Sequence, residues 1–147
     1  MQIAGDPALR DVARRRQLDR RFAALLRSGN LAAVCAAADE CAAAYDASAA
    51  AVPTTPAGAI VKLQEAIRVY RAEAQSAAVY PEECRDDDPG FVALRAACRA
   101  IRRSDPNAAR LVRAAYAACC EVRENDSASL VNLDAVLRWA IRPHVTR

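Results

Sequence analysis

Arg95, Arg99 and Arg102 recur at i, i+4 and i+7, with Arg103 beside them. On a helix that spacing lines guanidinium groups along one face, and each can fork onto a phosphate or a carboxylate. Phe91, Leu94, Cys98 and Ile101 would occupy the opposite, apolar face. The chemistry on offer is recognition of an anion rather than catalysis. Arg14, Arg15 and Arg16 form a second basic run near the N-terminus. The plain alternative for both is a solvated charged face, or one turned toward the acidic stretch at Glu82, Glu83 and Asp86 to Asp88. Trp139 stands off the Leu130-Leu133-Leu137 stripe. A tryptophan there either covers a neighbouring helix end or anchors a protein partner, where Trp is over-represented at binding hot spots.

Little else in the chain has the makings of a reaction centre. The phosphate-loop, dinucleotide-binding, zinc-protease and nucleophile-elbow patterns are all missing. His144 is the only histidine, so Ser-His or Cys-His chemistry lacks material. The carboxylate clusters are Asp39-Glu40, Glu82-Glu83 and Asp86-Asp87-Asp88, and the last two fall in a linker where solvated charge is the default. The six cysteines, Cys35, Cys41, Cys84, Cys98, Cys119 and Cys120, make no C-x-x-C pair and read as thiols. No metal site and no cofactor is expected, and the chain reads as non-enzymatic.

The elements that would position these residues are helices. Of 147 residues, 54% are apolar but only 5% aromatic, and roughly a quarter are alanine, the strongest helix former. β-Branched runs and hairpin-turn dipeptides are missing. The expected class is all-α, a single domain over 1–147. Net charge is only +3, unevenly spread. Residues 1–29 hold seven arginines against three aspartates; 30–88 hold four basic against ten acidic groups; 89–147 hold ten arginines against five acids. Lys62 is the only lysine. Acidic and basic elements facing each other, within the bundle or across a subunit contact, is the simplest account. The segment 31–52 is interrupted by Asp39, Glu40 and Asp46, which argues against a membrane span. The start lacks an apolar leader core, so a cytoplasmic location is expected.

Asp6-Pro7, Thr55-Pro56, Asp88-Pro89 and Asp105-Pro106 each pair a capping side chain with a proline at the first helical position. With Asn30 and Ser127 they predict six helices over 7–27, 31–52, 56–79, 89–103, 106–124 and 128–141. The acidic link 80–88 divides them into two three-helix halves, 7–79 and 89–141. The second and third helices are expected to form an antiparallel hairpin. On the second, Leu31, Val34, Cys35, Ala38, Cys41, Ala42, Tyr45, Ala49 and Val52 share a face, and the far side is nearly all alanine, interrupted by Glu40 and Asp46, which another backbone could approach closely. On the third, Ile60, Leu63, Ile67 and Tyr70 make the stripe, and Gly58 suggests close packing in its first turn. The first half of the first helix, "ALRDVARRR", is expected to be solvated or paired outside the core, and Leu18, Phe22, Leu25 and Leu26 to supply its apolar face.

Pro53, Thr54, Thr55, Ala57, Gly58, Lys62 and Leu63, in the stretch "LAAVCAAADECAAAYDASAAAVPTTPAGAIVKL", carry one resemblance. The stretch resembles short uncharacterised helical proteins of alphaproteobacteria and their prophages, in which a proline-threonine joint precedes "AG" and a basic residue before leucine. The resemblance covers under a quarter of the chain; it implies a helical hairpin and a bacterial or phage origin, and no activity. Taken together, the residues point to a protein–protein interaction module, an adaptor or inhibitor that self-associates. The alternative is a small nucleic-acid-binding accessory protein using Arg95, Arg99, Arg102, Arg103 and the Arg14–Arg16 run.

Overall fold

Five of the six helices begin where a side chain takes up first-turn N–H groups that no helix satisfies for itself. The computed structural model describes residues 5–77, 87–122 and 127–142. Its helices are α1 (Pro7–Ser28), α2 (Leu31–Ala50), α3 (Pro56–Ala77), α4 (Pro89–Arg102), α5 (Ala108–Val122) and α6 (Ala128–Ile141). The class is all-α, as the composition implies, with no strand among the described residues. No helix there is long and apolar enough to cross a membrane. Residues 80–86 of the acidic link, with Cys84, Pro143 and His144, lie outside the described residues.

The core is a ring of four helices. α3 packs on α4, α4 on α5, α5 on α6, and α6 back on α3. Leu63, Ala66 and Tyr70 of α3 meet Phe91, Leu94 and Ile101 of α4, Val112 and Cys119 of α5, and Leu130, Leu133 and Val136 of α6. Tyr70 and Phe91 contact edge to face with centroids 5.0 Å apart. Removing these side chains from water is the main force closing the ring, about 1.5–3 kcal/mol for each large one. The hydrophobic seam therefore runs across the acidic link, because α3, from the first half of the sequence, is the helix that joins α4 to α6.

α1 and α2 form a separate antiparallel hairpin laid on α3 and α6. The partner of α2 is thus α1, not α3 as the short joint suggests. The reason lies in a three-four repeat on both helices: Ala8, Asp11, Arg15, Leu18, Phe22 and Leu25 on α1, and Val34, Ala37, Cys41, Ala44 and Ser48 on α2, are withdrawn from solvent, joined nearer the root by Val12, Tyr45 and Ala49. The true inner face of α2 is rotated from the expected one, which leaves Leu31, Cys35, Ala38 and Ala42 exposed.

The joints explain their own residues. One oxygen of Asp6 accepts the Ala8 N–H (2.8 Å); the other accepts Thr54 N–H (3.0 Å), Thr55 N–H (2.8 Å) and the Thr55 hydroxyl (2.7 Å). Thr55 Oγ1 in turn accepts from Gly58 N–H at 3.1 Å, capping α3. Asp6 therefore caps α1 and pins the start of α3 at once. A methyl group at Gly58 would overlap the Asp6 carboxylate, which accounts for that glycine. Asp88 repeats the device: its Oδ1 accepts Gly90 N–H and the Tyr70 hydroxyl, both at 2.8 Å, and a side chain at Gly90 would strike Tyr70. Two starts differ from expectation. Asp105-Pro106 makes a turn, with Asn107 N–H donating to Asp105 Oδ1, so α5 begins at Ala108. Ser127 makes no cap; Glu73, reaching across from α3, accepts from Ala128 N–H (3.0 Å) and the Ser129 hydroxyl (2.8 Å).

Candidate functional site

The two basic runs meet different fates. On α4, Arg95, Arg99 and Arg102 line one groove of about 380 Å³ along the α3–α4 seam, with Gln64 and Ile67 on the α3 side and Cys98 in α4. Arg95 is half-buried, its guanidinium 5.5 Å from the centroid of the Phe91 ring; Arg71 of α3 stands 5.3 Å from the same ring. Arg99 and Arg102 are exposed. Arg103 is the C-cap residue of α4, exposed, and lies outside the groove.

The Arg14–Arg16 run does not form a single surface. Arg15 turns inward to become almost completely buried, and one of its terminal nitrogens meets Glu65 at 2.6 Å. Arg16 and Arg68 reach the same carboxylate at 2.9 and 3.0 Å. Arg15 also lies over the Tyr45 ring, 5.5 Å from its centroid, while its Nε has no hydrogen-bond partner. In the first half of α1, Ala8, Val12 and Arg15 are therefore buried, while Arg10, Arg14 and Arg16 keep the exposure expected of that segment. Arg14 is exposed and lines a separate cleft of about 220 Å³ with Asp11 and Glu40.

Burial alone would push the Glu65 carboxyl up, but the hydrogen bond from Arg16, the charge of Arg15 and the contact with Arg68 outweigh it and hold it below the ordinary glutamate value. Beside this cluster the Lys62 ammonium is fully buried, donating to the Ser48 and Ala49 carbonyl oxygens at the end of α2. Those are orphan acceptors of the last helical turn, so the single lysine closes a helix end from the side. Burial lowers Lys62 to about 8, with Arg15 adding to the effect and Glu65 and Asp11 opposing it. The cluster is a clamp between the hairpin and the bundle. Nothing in α1 marks Glu65, 50 positions from Arg15, as its partner; the only sequence signal was a lone lysine in an arginine-rich chain.

Trp139 is half-buried against the core and lines a hollow of about 350 Å³ with Pro56, Ile101 and Pro106, over the α4–α5 joint. Cys98 and Cys119 are buried, Cys120 and Cys41 are half-buried, and Cys35 is exposed rather than on an inner face. Burial first, then the carboxylates of Asp19 and Glu40, push the Cys41 thiol up, which makes it a poor nucleophile at neutral pH. No group of three or more His, Cys, Asp or Glu side chains arranged to hold a metal occurs among the described residues.

The other surface without an obvious occupant is the distal half of the α1–α2 hairpin. Between Arg16 and Ala43 no residue is buried, although Leu18, Phe22, Leu25 and Val34 sit on its seam and Leu26 and Leu31 are 55% and 75% exposed. α1 carries seven arginines against two aspartates; α2 has no basic residue against Asp39, Glu40 and Asp46. Among the described residues no ion pair joins the two helices. Comparison with family models, with curated proteins and with solved structures finds no match to this chain.

Proposed function

We propose that the protein is a non-enzymatic helical interaction module, an adaptor or inhibitor, that self-associates through the distal half of its α1–α2 hairpin. The observation that carries this reading is the uncovered seam from Arg16 to Ala43. A two-helix seam of alanine and a few leucines buries too little to be stable alone, since helical stability in water comes mostly from packing an apolar face. A second copy fits the requirement. Turned by a two-fold axis, the basic α1 of one chain lies beside the acidic α2 of the other, and this pairing is made twice. The leucines would be covered, the exposed alanines would let the helices approach closely, and the unpaired arginines and carboxylates would face each other.

Sedimentation velocity tests it. The wild-type chain is expected to sediment as a species of twice 15.8 kDa. Leu26→Asp combined with Leu31→Asp is expected to give the monomer with unchanged helical circular dichroism, because both positions are exposed in the single chain. A wild type that stays monomeric at high concentration, or a double variant that stays dimeric, refutes the reading.

A further inference from the structure

We propose that the α1–α2 arm opens from the four-helix ring as one cooperative unit about the 51–55 joint, and that the charged cluster at its root is the latch. Neither the joint nor the latch needs a second copy of the chain. Apolar packing already divides the molecule there. Among the described residues, the main core cluster draws its side chains from α3, α4, α5 and α6. The buried apolar side chains of α1 and α2 are Ala8, Val12, Ala44 and Ala49, none larger than valine. The ring therefore keeps its core when the arm leaves, and little apolar surface opposes the departure.

What holds the arm is polar. Arg15 and Arg16 of α1 reach Glu65 on α3, which Arg68 of α3 also meets. Arg15 lies over Tyr45 of α2, so both arm helices share the cluster. Lys62 of α3 donates to the Ser48 and Ala49 carbonyl oxygens of α2. Asp6, just ahead of α1, accepts from Thr54 and Thr55 in the joint itself. Taking Glu65, Arg15 and Lys62 out of water costs nearly what their attraction returns, so the closed latch adds little net stability. Opening it part-way strands a buried charge without its partner, whereas full release returns every charge to water at once. The arm thus has two positions, closed and open, with nothing stable between them.

The titrating groups of the latch agree in sign. The Glu65 and Asp6 carboxyls lie below their ordinary 4.5 and 3.8, so their hold is complete above those values and fades as acid titrates the closed form. Lys62 is lowered to about 8 by burial, with Arg15 adding to the effect and Glu65 and Asp11 opposing it. Its two bonds to α2 need only the two N–H groups of the neutral amine, and its protonation favours the open form. Lower pH loosens the latch at every group.

Native-state amide hydrogen exchange of the full chain in low urea tests this, run at two protein concentrations so that pairing through the distal half shows separately as a concentration dependence. Root amides over 10–15 and 44–50 are expected to open together, with protection at least about tenfold below that of ring amides over 94–101 and 130–136. Glu65→Gln is expected to lower root protection by about a further hundredfold and to leave the ring unchanged. Asp134→Asn, which removes an exposed pair on α6, is expected to change neither. Lowering the pH through 4.5 and 3.8 is expected to loosen the root ahead of the ring. Root and ring amides opening at one common free energy, Glu65→Gln weakening both alike or neither, or acid loosening both together overturns the proposal.

Discussion

Glu65 takes three arginines, and its removal should be felt most by the one that is buried. Arg16 and Arg68 are half-exposed and can turn to water, whereas Arg15 cannot. Glu65→Ala is therefore expected to cost about 3–5 kcal/mol, the usual penalty for leaving a buried charge without its partner. Urea unfolding measures it; a loss below about 1 kcal/mol, typical of surface pairs, contradicts the account. Lys62 gives a second residue-scale prediction with a definite sign. Its folded value, about 8, lies below the ordinary 10.5, so between those two pH values the unfolded chain holds a proton that the folded chain has released. Stability contributed by this group must therefore rise as pH goes from about 8 toward 10.5. Urea midpoints across that window are expected to climb for the wild type and to lose that rise in Lys62→Met.

At the scale of elements, Asp6 couples two helix starts that are distant in sequence. Burial pushes its carboxyl up, but the Thr55 hydroxyl and the Thr54, Thr55 and Ala8 N–H groups outweigh that and hold it below the ordinary aspartate value. The stability it contributes is thus present above pH 3.8 and disappears as acid titrates the folded carboxylate. Asp6→Ala is expected to cost about 3 kcal/mol, a lost cap plus hydrogen bonds to a charged acceptor. Gly58→Ala should also destabilise, since its methyl displaces Asp6 from those donors. In the Asp6→Ala background the same change should stabilise by up to about 1 kcal/mol, the helix propensity of alanine over glycine. Additive effects in this double-mutant cycle would contradict the contact. These joints were legible because capping is local chemistry: Asp6, Asn30, Thr55 and Asp88 all take the cap positions their types suggest. Glu73 was not legible, because it caps α6 from 55 positions away.

At the scale of the molecule, the same division between local and distant determines what could be read. The stripe Phe91-Leu94-Cys98-Ile101 is buried as its periodicity demands. In α2 eleven of twenty positions are alanine, so periodicity barely distinguishes faces, and the inner face lies part of a turn from the expected one. α3 defeated the stripe reading differently. It is covered on both sides, and the buried positions on its second side include Lys62 and Glu65 beside Val69, two charged residues that no hydrophobic pattern includes. The arginine groove was half visible: i, i+4, i+7 spacing put three guanidiniums on one face, and only packing against α3 made a cavity of it.

What emerges is a four-helix ring carrying a two-helix arm whose root is clamped by buried ions and whose tip is uncovered. The most direct measurement is amide hydrogen exchange as a function of protein concentration. If two copies pair through the arm, exchange over residues 16–43 slows as concentration rises, while the α3 segment 59–70 is unaffected. Exchange over 16–43 that is independent of concentration would contradict the account.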